Sequence, residues 1–192
     1  MKKILILCAT LIMLMVSVCS ATPVRFFDGN VNDFVTLYNQ MAQELNSHIK
    51  VDIKLYQSPF KNAAASYGNY TAYTCKVGNK DKKSPYITIF VDKSGYVAQV
   101  AVIGYIKDAD VKSVHEKLFA CAMGSCVVMS GLGSFDVEDY IGDVFPYALQ
   151  KETDQYSMWS QHKKREIHID TKLVGTWEKD KQYAVLFYAT TD

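Results

Sequence analysis

Residues 85–104, PYITIFVDKSGYVAQVAVIG, constrain this chain more than any other stretch. Two runs rich in β-branched and aromatic residues flank Asp92-Lys93-Ser94-Gly95. Such runs suit a pleated, buried surface, and Gly95 can take the positive φ that a tight reversal demands. The pattern predicts a β-hairpin at the centre of an antiparallel sheet. A four-residue loop sets Val91 opposite Tyr96, so that Ile87, Ile89 and Val91 share a face with Tyr96, Ala98, Val100 and Val102. A three-residue loop puts Ile89 opposite Gln99 and mixes polar with apolar, so the burial pattern favours the longer loop. The opposite face then carries Tyr86, Thr88 and Phe90 with Val97, Gln99 and Ala101.

Other stretches supply the cover and the remaining strands. Asn30 and Asp33 mark a helix start. Val31, Phe34, Val35, Tyr38, Met41, Ala42 and Leu45 then recur at helical spacing, predicting an amphipathic helix over 31–46. Residues 50–56 alternate, with Val51, Ile53 and Leu55 on one side, as a half-buried strand does. Residues 58–68 hold Pro59, an alanine run and Gly68 and read as a loop; 70–77 read as a strand with Tyr73, Cys75 and Val77 on one face. A lysine-rich turn follows at 78–84.

Beyond the hairpin, Asp108 or Asp110 caps a second helix striped by Val111, Val114, Leu118, Phe119 and Ala122, expected to fray near Gly124 and to end by Gly131-Leu132-Gly133. A third helix starts at Ser134 or Asp136, carries Val137, Tyr140, Ile141 and Val144, and stops or kinks at Pro146. Residues 151–165 are polar and end in a basic run, which reads as a loop. Residues 166–173 alternate with Ile167, Ile169 and Leu173 inward; 175–181 read as a turn. The last strand, 183–190, has apolar residues on both faces, which predicts a position inside the sheet or a covered outer face. Segregated strands and helices predict an α+β fold: a single domain with an antiparallel β-sheet built around the central hairpin and helices packed mainly on one face.

The first 21 residues read differently. Lys2 and Lys3 precede a 15-residue apolar run, Ile4 to Val18, and small residues follow. That order is a secretory signal peptide, and the run is short of the roughly 20 residues a membrane span needs. Residues 1–21 are therefore expected to be removed, leaving 22–192 as a secreted or periplasmic domain. Lipid attachment at Cys19 is the other reading, although Val18 stands where a small residue is wanted. Loss of Lys2 and Lys3 takes two charges from the formal +1 and leaves −1. Near-neutral charge offers no electrostatic ground for nucleic acid or an anionic membrane surface.

Cleavage leaves Cys75, Cys121 and Cys126, an odd number that allows at most one internal bridge. On an unbroken helix Cys121 and Cys126 point about 140° apart and cannot pair. A bridge from Cys75 to either, or three buried thiols, stays open. No Walker, zincin, EF-hand or nucleophile-elbow pattern occurs, and Asn69-Tyr70-Thr71 matches only a glycosylation sequon. Glu166, His168 and Asp170 alternate on one strand face, with His162 in the preceding loop, but the outer two stand about 13 Å apart, too far to share an ion. His115 and Cys121 face different ways on a helix. The lysine clusters, at Lys80, Lys82 and Lys83 and at Lys163, Lys164 and Arg165, fit solvated turns.

The chain thus reads as an exported binding or interaction module with no catalytic, cofactor-binding or metal residues assigned. A small extracytoplasmic hydrolase and a structural envelope component are the alternatives. The candidate partner surface is the outer sheet face, Tyr86, Thr88, Phe90, Val97, Ala101, Leu186 and Tyr188, taking an unknown protein or a second copy of the chain.

Overall fold

In a computed structural model the described residues are 23–24, 27–49, 53–55, 58–78, 85–107, 121, 124–125, 128, 153–160, 165–177 and 180–190. They form one antiparallel sheet, one long helix and part of a further helical segment. The strands are β1 (Pro23–Val24), β2 (Phe60–Lys61), β3 (Thr71–Lys76), β4 (Tyr86–Val91), β5 (Val97–Lys107), β6 (Thr153–Ser160), β7 (Arg165–Trp177) and β8 (Asp180–Thr190). Their order is β2-β3-β4-β5-β8-β7-β6, with β1 beside one end of β8. Two meanders, β3-β4-β5 and β6-β7-β8, are thus joined where β5 pairs with β8. β8 lies inside the sheet, as its two apolar faces predict.

The helix α1 (Val31–Ile49) begins as its cap dictates. Asn30 Oδ1 accepts from the amides of Asn32 and Asp33 at 2.8 and 3.2 Å, while Asp33 Oδ2 accepts from the Asn30 amide at 2.9 Å. This reciprocal arrangement satisfies amides that have no partner within the helix. Phe34, Tyr38, Met41 and Ala42 are buried in one cluster with Cys75, Ile87, Ile89, Val100, Val102, Ile167, Ile169, Val185 and Phe187. Each fully buried side chain of the Phe or Ile type contributes about 1.5–3 kcal/mol relative to exposure.

Cys121, Gly124, Ser125 and Val128 are helical and buried. Their spacing of three and four residues is one helix face. The expected fraying at Gly124 is corrected: a Cβ there would lie 2.0 Å from Met41 Cε and 3.4 Å from Tyr38 Cε2. The glycine lets this helical face approach α1, so it serves close packing rather than a break.

The hairpin turn forms where expected, with a different register. Gly95 has φ +86°, and Asp92 Oδ1 accepts from the amides of Ser94 and Tyr96 at 2.8 and 3.0 Å. Val91 pairs with Val97, not Tyr96, and a bulge follows, so that Phe90 pairs with Gln99 and Ile89 with Val100. The bulge restores Ile87 and Ile89 to one face with Val100 and Val102.

Three further expectations change. Residues 153–160 form β6, not a loop, because every residue from Thr153 to Ser160 has a partner on β7, including Tyr156 with Ile169 and Met158 with Ile167. The turn expected over 175–181 shrinks, since β7 and β8 pair as far as Trp177 and Asp180, with a bulge between Leu173 and Gly175. Of the strand expected at 50–56 only 53–55 are among the described residues: Ile53 is buried, Lys54 is exposed, and Leu55 forms a bridge with Val77. The third helix and both lysine turns fall outside the described residues, apart from Arg165 at the start of β7.

Candidate functional site

The sheet's second face is built from every other residue of the same strands. Pairing aligns them in cross-strand rows: Ala72, Phe90, Gln99, Tyr188, His168 and Ser157 in one, and Thr74, Thr88, Ala101, Leu186, Asp170 and Gln155 in the next. The alternation of β4 and β8 places Tyr86, Thr88, Phe90, Leu186 and Tyr188 on this face, and Ala101 joins them on β5. Val97 does not. The bulge after Phe90 shifts the side-chain phase by one residue and turns Val97 into the cluster with α1.

The expected solvent-facing patch is therefore corrected in its exposure. Thr88, Phe90 and Ala101 are 0 % exposed, Leu186 and Tyr188 are buried, and Tyr86 is half-buried. Residues 62–70 supply cover. They leave β2, turn at Asn62 and fold back through a tight pair of bonds between Tyr67 and Tyr70. The Tyr67 ring packs 5.3 Å from Phe90 at 60°, and its hydroxyl donates to Gln99 Oε1 at 2.8 Å. Asn62 Nδ2 donates to Thr74 Oγ1, which is 3.2 Å from Thr88 Oγ1. Asn62, Thr74 and Thr88, and Tyr67 with Gln99, thus satisfy one another, as buried polar groups in a stable interior must. The Tyr70 ring lies tilted against Tyr67, and burial first, then the charge of Asp92, pushes its hydroxyl pKa up.

Along the same rows the β7 end is different. Glu166, His168, Asp170 and Lys172 are only half-buried, and Ser157 on β6 is exposed. The His168 and Tyr188 rings stack at 5.0 Å with an interplanar angle of 20°. The Tyr188 hydroxyl donates to Asp170 Oδ2 at 3.1 Å. Three side chains from two strands are thus held as one unit, with an imidazole and a carboxylate presented at a partly open surface. Sequence alternation identified Glu166, His168 and Asp170 but not Tyr188 as their link, which depends on the β7–β8 register. Among the described residues no group of three potential ligands is arranged around a metal position.

Cys75 lies on the other face, buried, its Sγ donating to the Ile87 carbonyl at 3.6 Å. Burial, then the neighbouring Cys121, pushes its pKa up to about 12. It is a protonated core thiol at neutral pH, without the ionisation a nucleophile needs. A separate open groove of about 320 Å³ runs beside α1, lined by Thr36, Asn39, Gln40, Gln43, Lys54 and Leu55. Asn39 already spends its Oδ1 on the Leu55 amide at 3.0 Å, bracing α1 against residues 53–55. His115, His162 and residues 131–133 lie outside the described residues.

Among the described residues no helix is long and apolar enough to cross a membrane. No known protein family, curated protein or solved structure matches the chain.

Proposed function

We propose that residues 22–192 are a single α+β domain, its helices packed mainly on one sheet face, exported behind a cleaved signal at 1–21, and that it acts as an extracytoplasmic binding module. The partner is a protein, with a second copy of the chain the first to test. The contact surface is the β7 side of the second sheet face. One observation carries this reading: the His168–Tyr188–Asp170 unit is tied by a ring stack and a hydrogen bond, and its imidazole and carboxylate are half-exposed, while Phe90 and Gln99 in the same row are covered by Tyr67. Rigid aromatic and polar groups at a partly open surface lose little conformational freedom on contact. Glu166 and Lys172 flank the unit with opposite charges and suit a polar partner more than a lipid surface. Cys75 is buried and its pKa is raised to about 12, which favours binding over hydrolysis through that thiol.

The test is a photo-crosslinking residue at exposed Ser157, with exposed Lys93 as control, in the exported protein of intact cells. The expected result is one discrete adduct from position 157, lost on His168→Asp, and none from position 93. No adduct at 157, or the same adducts from both, contradicts the proposal. An adduct of two chains identifies self-association.

A further inference from the structure

The strand path β2-β3-β4-β5-β8-β7-β6 leaves two edges, and they are built differently. β2 is two residues long and includes Lys61, and the chain leaves it at Asn62 to fold over the second face. A short edge that carries lysine resists pairing with another strand. β6 has eight residues, and each pairs with β7 in one unbroken register. Its sequence, TDQYSMWS, holds no Pro, Gly, Lys or Arg and a single charge, Asp154. Among the described residues no strand pairs with its outer side, and Ser157 near its middle is exposed. An edge of that length presents a row of backbone N–H and C=O groups, here with none of the sequence devices that keep another strand away.

We propose that β6 pairs antiparallel with β6 of a second copy, so that one sheet runs through a two-fold dimer. The inference rests on the reading above that the first partner to test is a second copy, and it adds the mode of contact. Residues directly opposite each other in antiparallel strands share a face. A two-fold axis normal to the sheet keeps both α1 helices on one side, so each residue must meet one whose number differs by zero or an even count. Two registers then align nearly the whole strand. Centred on Tyr156, the pairing sets Asp154 opposite Met158 of the second copy, a carboxylate against an apolar residue. Centred on Ser157, it sets Asp154 opposite Ser160, Tyr156 opposite Met158 and Ser157 opposite its own copy. The one carboxylate then meets a hydroxyl, and apolar meets apolar on the face that β6 shares with Ile167 and Ile169. The row Tyr188, His168, Ser157 runs on into Ser157, His168 and Tyr188 of the second copy, with the two His168 positions three strand spacings, about 14 Å, apart. Such a joined sheet ends in the short β2 on both sides, so addition stops at two chains.

The experiment combines sedimentation of the purified exported protein with thiol crosslinking by a short bis-maleimide. The expected result in sedimentation is a dimer, which Ser157→Arg converts to monomer by setting like charges opposite each other. Ser157→Cys should give a covalent dimer whose linked peptides join position 157 to position 157. Asp154→Cys by itself should give no 154–154 link, because those positions stand about 20 Å apart along the strands. A mixture of Asp154→Cys and Ser160→Cys chains should give a 154–160 link. Mass spectrometry of the linked peptides separates these products from any through Cys75, Cys121 or Cys126. A monomer in sedimentation, or a dimer that lacks the 157–157 and 154–160 links, overturns the proposal. If the purified protein is monomeric while the photo-crosslinker at 157 captures a different protein in cells, the binding reading stands and the β6 pairing alone fails. If it is monomeric and position 157 captures nothing, both fail.

Discussion

β4 and β7 occupy matching places, each the middle strand of its meander. Toward α1 they are alike: Ile87 and Ile89 on β4, and Ile167 and Ile169 on β7, are all 0 % exposed in one cluster. On the second face they part. β4 presents Thr88 and Phe90, both 0 % exposed beneath residues 62–70, while β7 presents His168 and Asp170, both half-exposed. Cover, not position in the sheet, sets the character of a face. A strand with apolar residues on both sides signals a lid somewhere else in the chain, and a strand alternating Ile with His or Asp signals water or a partner on its polar side.

Truncation on the shared face should not distinguish the strands. Ile89→Ala and Ile169→Ala should each cost about 2–5 kcal/mol in urea unfolding, since both leave a cavity in the same cluster. A loss under 1 kcal/mol at Ile169 alone would show that the β6-β7-β8 half is loosely packed. Gly124→Ala brings a methyl against the movable end of Met41, and the helix preference of alanine over glycine, about 1 kcal/mol, offsets the clash, so stability should stay within about 1 kcal/mol of the parent. A gain of about 1 kcal/mol from the same change in the Met41→Ala background would locate the clash. On the open side, Tyr188→Phe removes the bond to Asp170 and should cost about 0.5–1.5 kcal/mol. Ser157→Arg, exposed on β6, should stay within about 0.5 kcal/mol of the parent in thermal unfolding while abolishing partner contact.

The helix-side cluster carries its own pH signature. With the cysteines reduced, Cys75 stays protonated to about pH 12 in the folded chain but ionises near its ordinary value when unfolded. Between those values the unfolded state binds fewer protons, so stability falls as pH rises. Cys75→Ala should flatten that decline above about pH 9 in reductant-containing denaturation series. An unchanged slope would mean that the thiol is not buried as described.

Much of this was legible locally. The Asn30 cap, the Phe34–Tyr38–Met41 stripe and the Asp92–Gly95 turn are short-range devices, and each forms from residues a few positions apart. The Ile-His-Ile-Asp alternation of β7 is equally local. β6 was not legible because Thr153–Ser160 is largely polar, and its pairing with Ile167 and Ile169 depends on a partner strand. The bulge between Phe90 and Val91 changes backbone count without a distinctive residue, and it moves Val97 from one face to the other. The cover over Phe90 is a long-range contact from Tyr67, invisible to periodicity.

Phe90 and His168 stand in one cross-strand row, separated by Gln99 and Tyr188, so the same substitution at both isolates cover from position. Phe90→Asp and His168→Asp, compared by far-UV circular dichroism and urea titration, make the most direct test. The expected outcome is that Phe90→Asp is unfolded without denaturant, because its carboxylate is buried beneath Tyr67, and that His168→Asp stays folded within about 2 kcal/mol of the parent. A folded, near-parental Phe90→Asp, or an unfolded His168→Asp, would contradict it.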